Sequence, residues 1–335
     1  MDSVIDTVEA LEAHVGAQPG GINLKVIDHL DDQARRWLAA SPLAFAGFSD
    51  ARQVDATLAG GARGFARAHD AGRLRLPRAA LDDPQQAQEG RGAGLLFLIP
   101  GLGETLRVNG VVLASPGDDI EIAVQECYAH CAKALLRSDF WQPAVAAAAP
   151  GDTASFLAAS RFMALATADT GLHTDLSPKG DPAGLLVQPF DGGLRYADRP
   201  GNRRTDSFRN LLSRPHAAAI LVVPGCMQVA VAQGTVRISA DAVLRQAFEV
   251  QGKVPKVVAS LACPAIALRD SAALARARLW PAAAAPADID PAAVFAAHVR
   301  LNKTGGLGAA IARGMVSIPG LMRKGLQQDY KRNMY

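Results

Sequence analysis

The chain has 335 residues, 49% hydrophobic and 20% charged, with 35 Lys and Arg against 32 Asp and Glu for a formal net charge of +3. This admits one large domain or two ordinary ones with a sizeable core; it excludes a disordered polyelectrolyte and argues against a dedicated nucleic-acid binder. The pI near 8.7 and the mean hydropathy of +0.09 reflect near-cancelling charges and do not by themselves point to an anionic partner.

The opening residues Asp2, Ser3, Val4, Ile5 and Asp6 are acidic, unlike a secretory or mitochondrial leader. Arg, Asp, Pro or Gly breaks every apolar run before the roughly 18 residues a spanning helix needs. A cytoplasmic protein without a membrane partner is expected. Residues 4–14 and 23–40 read as helical. In the second half, strands are expected over residues 162–168, 185–189, 194–197, 217–223, 228–238 and 256–267, with a helix over 205–213. Short apolar runs bounded by Gly, Pro and Asp argue for a closed antiparallel sheet, so the fold class is mainly β with helices (α+β). Residues 291–301 and 306–335 read as helical again, and the basic run 323–332 reads as a solvated helix face.

The chain repeats itself. Leu95-Leu96-Phe97-Leu98-Ile99-Pro100-Gly101 returns as Ala219-Ile220-Leu221-Val222-Val223-Pro224-Gly225, and residues 104–110 fall at the same offset on 228–234. Val54-Asp55-Ala56-Thr57 corresponds to Thr174-Asp175-Leu176-Ser177, and Trp141 and Pro143 to Trp280 and Pro281. A unit of about 120 residues is domain-sized, too long for a solenoid repeat. We expect a first copy over 1–145, a second over 151–290, a helical tail over 291–335, and a boundary in the Ala-rich stretch 144–150.

Four cysteines are too few for a disulfide scaffold. Cys127, His130 and Cys131 have helical ligand spacing, but no second Cys/His pair accompanies them, so buried thiols are expected and no metal. The densest polar constellation joins residues 177–184 (SPKGDPAG) to 198–207 (DRPGNRRTDS), where a Gly-containing turn with adjacent arginines runs into a helix. Such a turn can cradle a phosphate. Equally, Asn202 or Thr205 can simply cap the helix, with Asp206 in its first turn. The residues alone leave both readings open. His173 and His216 lie near this stretch and read as structural.

Residues 177–184, 198–210 (DRPGNRRTDSFRN), 99–110 (IPGLGETLRVNG) and 130–137 (HCAKALLR) together resemble the FMN-binding split-barrel proteins of the pyridoxamine 5'-phosphate oxidase family, and its uncharacterised bacterial branch in particular. The opening residues 25–31 and the ending near 329–332 share that likeness. The resemblance implies two tandem split β-barrels forming an intramolecular pseudo-dimer with FMN in the groove between them. It places Arg203 and Arg204 on the phosphate, with Asp198, Arg199, Asn202 and Ser207 around them, and Ser177, Lys179 and Gly180 along the flavin. Glu104, Arg107 and Asn109 would come from the other barrel. Arg204 replaces the family's lysine.

Each copy keeps a different half of this set. The first has Thr57, Ala59 and an acidic loop with Asp82 and Asp83 where the second has Ser177, Lys179 and the paired arginines; the second has Gln228 and Val231 where the first has Glu104 and Arg107. One competent FMN site and one vestigial groove per chain are expected, serving as an oxidoreductase on a small molecule, with no catalytic acid–base pair evident. A non-catalytic flavin sensor or carrier, or a haem- or deazaflavin-binding protein, are the alternatives; further homodimerisation is compatible with all of these.

Overall fold

A computed structural model describes residues 3–19, 21–114, 117–144, 151–201, 204–306, 310, 313–314, 320–332 and 334–335. Asn202, Arg203 and most of the expected boundary, 145–150, lie outside the described residues.

The first part comprises β1 (Val4–Ile5), α1 (Val8–Val15), α2 (Asp32–Ala40), β2 (Leu43–Ser49), β3 (Val54–Gly60), β4 (Arg67–Ala68), β5 (Arg73–Pro77), β6 (Gly92–Leu98), β7 (Thr105–Leu113), β8 (Asp119–His130) and α3 (Lys133–Arg137). The second comprises α4 (Thr153–Ala159), β9 (Phe162–Ala168), β10 (Thr174–Gly180), β11 (Gln188–Phe190), β12 (Gly193–Ala197), α5 (Asp206–Ser213), β13 (His216–Val222), β14 (Gln228–Ser239), α6 (Ala242–Gln246), β15 (Val258–Ala262), β16 (Ile266–Asp270) and α7 (Ala272–Ala277). Among the described residues α8 (Pro291–Leu301) and α9 (Leu321–Arg332) follow.

Two antiparallel sheets result, ordered β3-β2-β6-β7-β8-β5-β4 and β10-β9-β13-β14-β15-β12-β11. The strand order is the same in both, with β8 matched by β15 and β16 in turn. The registers agree too. Gly60 pairs with Leu43 as Gly180 pairs with Phe162, Ala93 with Gly110 as Ala217 with Gly234, and Thr105 with His130 as Val229 with Arg269. The closed sheet expected from the sequence is not found: each ladder is open, its edges being β3 and β4 or β10 and β11. The single strand expected over 256–267 is two, because Pro264 between them has no N–H to give a ladder.

The apolar runs have a tertiary reason. In β9, Met163 and Leu165 enter the core of the second sheet, while Phe162, Ala164 and Ala166 enter a core between the sheets. In β2, Ala44, Ala46 and Phe48 line the core of the first sheet, whereas Leu43 and Phe45 face the shared one. Strands covered on both faces lose the alternation that one wet face imposes. At the shared core, Phe45 and Phe140 pack on Phe162 with ring centres 5.2 and 5.0 Å away.

The terminal segments cross over. Val4 and Ile5, grouped with the first copy and expected as helix, form a strand on β14, and Ile5 and Leu11 join the second core. Ile289 and Val294, at the start of α8, join the first. No helix among the described residues is long and apolar enough to cross a membrane.

Candidate functional site

At the short helices, two glycines admit the close approach of the halves. A Cβ on Gly180 would stand 1.8 Å from the carbonyl oxygen of Ala134 in α3; one on Gly60 would stand 2.2 Å from that of Ala273 in α7. Each short helix thus docks on the edge strand of the opposite sheet. At the α3–β10 contact there is a cavity of about 810 Å³. Its wall takes Arg107, His130, Cys131 and Arg137 from the first half and Ser177, Lys179, Asp198, Arg199, Arg204 and Ser207 from the second.

Arg107 crosses between the sheets. Only 1% exposed, it donates to the Tyr128 hydroxyl at 2.7 Å, to Asp175 at 3.2 Å and to the Leu176 carbonyl at 2.5 Å. Three cations surround the Tyr128 ring: the Arg204 guanidinium 4.3 Å from its centre, Lys25 Nζ at 5.4 Å and Arg107 at 5.5 Å. Arg204 also pairs with Asp206. Burial pushes the Asp206 carboxyl up, and the neighbouring Asp175 adds to this.

The two readings of the 198–205 turn can now be compared. Thr205 takes the N-cap position of α5, but in a left-handed conformation (φ 54°), and its side chain makes no capping bond. A non-glycine residue held there is strained. Thr205 therefore does not cap α5 through its side chain, and Asn202, the other expected cap, lies outside the described residues. Arg204, Thr205, Asp206 and Ser207 all lie on the cavity wall.

Lys179 Nζ lies 5.0 Å from the Phe208 ring centre and 5.9 Å from that of Tyr196. Burial lowers its pKa, opposed by Asp198; burial raises that of Asp198, opposed by Lys179. Arg199 is bound to Asp181 at 2.7 Å. His130 is held well below the ordinary imidazole range by burial and then by Arg107, and its Nδ1 is buried without a partner. The Cys127–Cys131 segment is strand, not helix, in and just after β8: Cys127 enters the first core, and Cys131 the cavity wall.

Ser177, Lys179, Gly180, Asp198, Arg199, Arg204, Ser207 and Arg107 are brought together; Glu104 and Asn109 are not on the wall. Glu104 accepts from Tyr330 at 3.0 Å, and burial raises its pKa. Asn109 donates to Asp175 at 2.9 Å, and its counterpart Gln233 donates to Asp55 at 3.0 Å, so this pair joins the halves. The sequence missed Lys25, Tyr128 and Tyr335. None of these carried a local signal; Tyr128 faces Arg107 only through the register of β7 and β8.

The counterpart groove is differently filled. Thr57, matching Ser177, donates to Asp83 at 2.7 Å, and Arg269, matching His130, forms a two-pronged ion pair with the same carboxylate. Asp82 accepts from Ser271 at 2.5 Å and from the Ala273 amide at 2.8 Å at the start of α7. The acidic loop therefore occupies the place where the other groove is hollow.

Residues 150–280 match the family described as pyridoxamine 5'-phosphate oxidase. Solved structures similar to the chain include HupZ from Group A Streptococcus (17% identity, 36% of this chain and 97% of that one, TM-score 0.29) and an F420 reductase (17%, 35% and 98%, 0.28). A third is HutZ, the heme storage protein from Vibrio cholerae (10%, 33% and 86%, 0.24). No curated protein matches the sequence.

Proposed function

We propose that this chain, a pyridoxamine 5'-phosphate oxidase-type protein through residues 150–280, binds one FMN in the α3–β10 cavity and serves as an oxidoreductase on a small molecule. The observation that carries this reading is the composite cavity itself. It sets the start of α5 and Arg204 beside residues of the opposite half. FMN has a phosphate and a planar ring edged with hydrogen-bonding atoms, and the donor set fits both. Arg204, Ser207 and the first α5 amides would hold the phosphate. Lys179 Nζ and the buried, unpaired Tyr196 hydroxyl would meet the ring edge. When bound, FMN supplies hydride or single-electron transfer. The chain's own part is positional. Arg107 ties the halves across the groove, Lys179 holds a proton over an aromatic floor at a lowered pKa, and the buried walls exclude water.

The other groove, with Asp82 and Asp83 in place, binds no flavin under this reading. The absorption spectrum of the purified full-length protein tests it: flavin bands at about one FMN per chain are expected. Two FMN per chain, or none after incubation with excess FMN, overturns it. Unreduced flavin in the presence of NAD(P)H and candidate substrates would leave a carrier or sensor in place of an enzyme. His130 supports a second reading. A neutral imidazole with an unpaired, buried Nδ1 on the cavity wall suits haem iron, and a Soret band in place of flavin bands would establish it.

A further inference from the structure

One part of the cavity is already filled by the chain itself. The Tyr335 ring has two guanidinium groups over it, Arg137 at 5.6 Å and Arg199 at 5.7 Å from its centre. Lys253 Nζ donates to the main-chain oxygen of Tyr335 at 2.6 Å, and Arg137 Nε to that of Met334 at 2.7 Å. Just upstream, Asp329 pairs with Lys133 at 2.8 Å. The end of α9 and the residues after it thus bridge the first half, at Lys133 and Arg137, to the second, at Arg199 and Lys253.

The wall at Tyr335 is under-used. The Arg199 side chain is 6% exposed; after bonding Asp181 and the Phe248 carbonyl, its Nη2 remains buried without a partner. One oxygen of Asp181 is likewise unpaired. A buried charged donor left unmet in a native fold calls for a ligand. A neutral phenol ring supplies the stacking face that guanidinium groups favour but leaves that donor unmet.

We propose that Arg137, Arg199 and Lys253 form a subsite for a planar aromatic anion, and that Tyr335 is its internal occupant, displaced when the anion binds. The ligand's ring replaces the Tyr335 ring under the two arginines, and its charge meets Arg199 Nη2 and the Lys253 ammonium. The subsite shares no residue with the Arg204–Ser207 end. It deepens the flavin reading by naming the substrate class, yet it can be measured without the cofactor.

The probe is 3-(4-hydroxyphenyl)propionate, which reproduces the ring, spacer and oxygen of the internal occupant, titrated calorimetrically into the full chain. Tyr335→Ala is expected to bind it about tenfold more tightly than the parent, a typical scale for a desolvated cation–π pair. Adding Arg137→Gln to Tyr335→Ala is expected to abolish that gain; the exposed Lys253→Met gives the same loss should the arginine variant fail to fold. The saturated analogue 3-cyclohexylpropionate is expected to bind more weakly. Unchanged affinity in Tyr335→Ala, or undiminished affinity in both double variants, overturns the proposal. FMN content is measured on the same preparations. Normal flavin without probe binding removes the subsite and keeps the flavin reading; probe binding without flavin does the reverse.

Discussion

The groove at α3 and β10 and its counterpart at α7 and β3 start from the same strand order, the same register and the same glycine-mediated approach of a short helix. They part at a handful of side chains. On one side, Lys179, Arg107, Arg199 and Arg204 surround a cavity; on the other, Ala59 and Val231 stand where Lys179 and Arg107 do, and Asp83 is drawn in by Thr57 and Arg269. The lesson is that the scaffold supplies a groove twice, and the balance of charge decides whether it stays open. Cations paired along the wall itself, as Arg204 is with Asp206 and Arg107 with Asp175, keep a hollow between them. A cation given Asp83 is neutralised from within.

The largest test of this contrast is Arg107→Met. It leaves the half-buried Asp175 and Asp206 without that partner and is expected to cost about 3–5 kcal/mol in urea unfolding, whereas Val231→Ala at the matching position costs about 1 kcal/mol. Equal losses would mean that Arg107 is no more than packing. Next comes Lys25, 6% exposed and lowered from 10.5 to about 8 by burial and then by Arg204. Between those values the unfolded chain holds the proton and the folded chain releases it, so stability rises with pH through the window. A gain on the order of 3 kcal/mol is expected there, absent in Lys25→Met. A falling curve would place the lysine outside the cationic cluster on Tyr128.

Third are the paired glycines. Gly60→Ala and Gly180→Ala each press a methyl group onto a backbone carbonyl and are expected to lose about 1–3 kcal/mol. Gly180→Ala alone should also weaken FMN binding, read by fluorescence quenching. Parallel loss of flavin in both variants would argue that the grooves are not functionally distinct. The smallest expected effect separates the loops themselves. Arg204→Ala should weaken FMN by about tenfold, the scale of one charge-assisted hydrogen bond. Arg269→Ala should leave FMN affinity unchanged while lowering stability.

Much of the scaffold was readable locally. β9 has the bounds expected of it, because an apolar run closed by polar turn residues is a short-range signal. The 177–184 and 198–207 segments were found for the same reason, since their glycines and charges are contiguous. The register of Arg107 against Tyr128 and the crossing of β1 to β14 had no such mark, because they join residues far apart in the chain. Lys25 and Tyr335 escaped for that reason too. Each is unremarkable in its own segment and acquires meaning only from the rings and guanidinium groups around it.

By itself, the sequence determined that the chain is mainly strand with helices, that its halves echo each other, and that their polar loops differ in charge. These are properties of residue type and order. The tertiary structure decided that the sheets stack through a shared core, that the terminal segments exchange places, and that the Asp82–Asp83 loop reaches an arginine of the opposite half. Those outcomes depend on burial and distance, and burial turns a difference of a few charged side chains into one hollow groove and one filled groove.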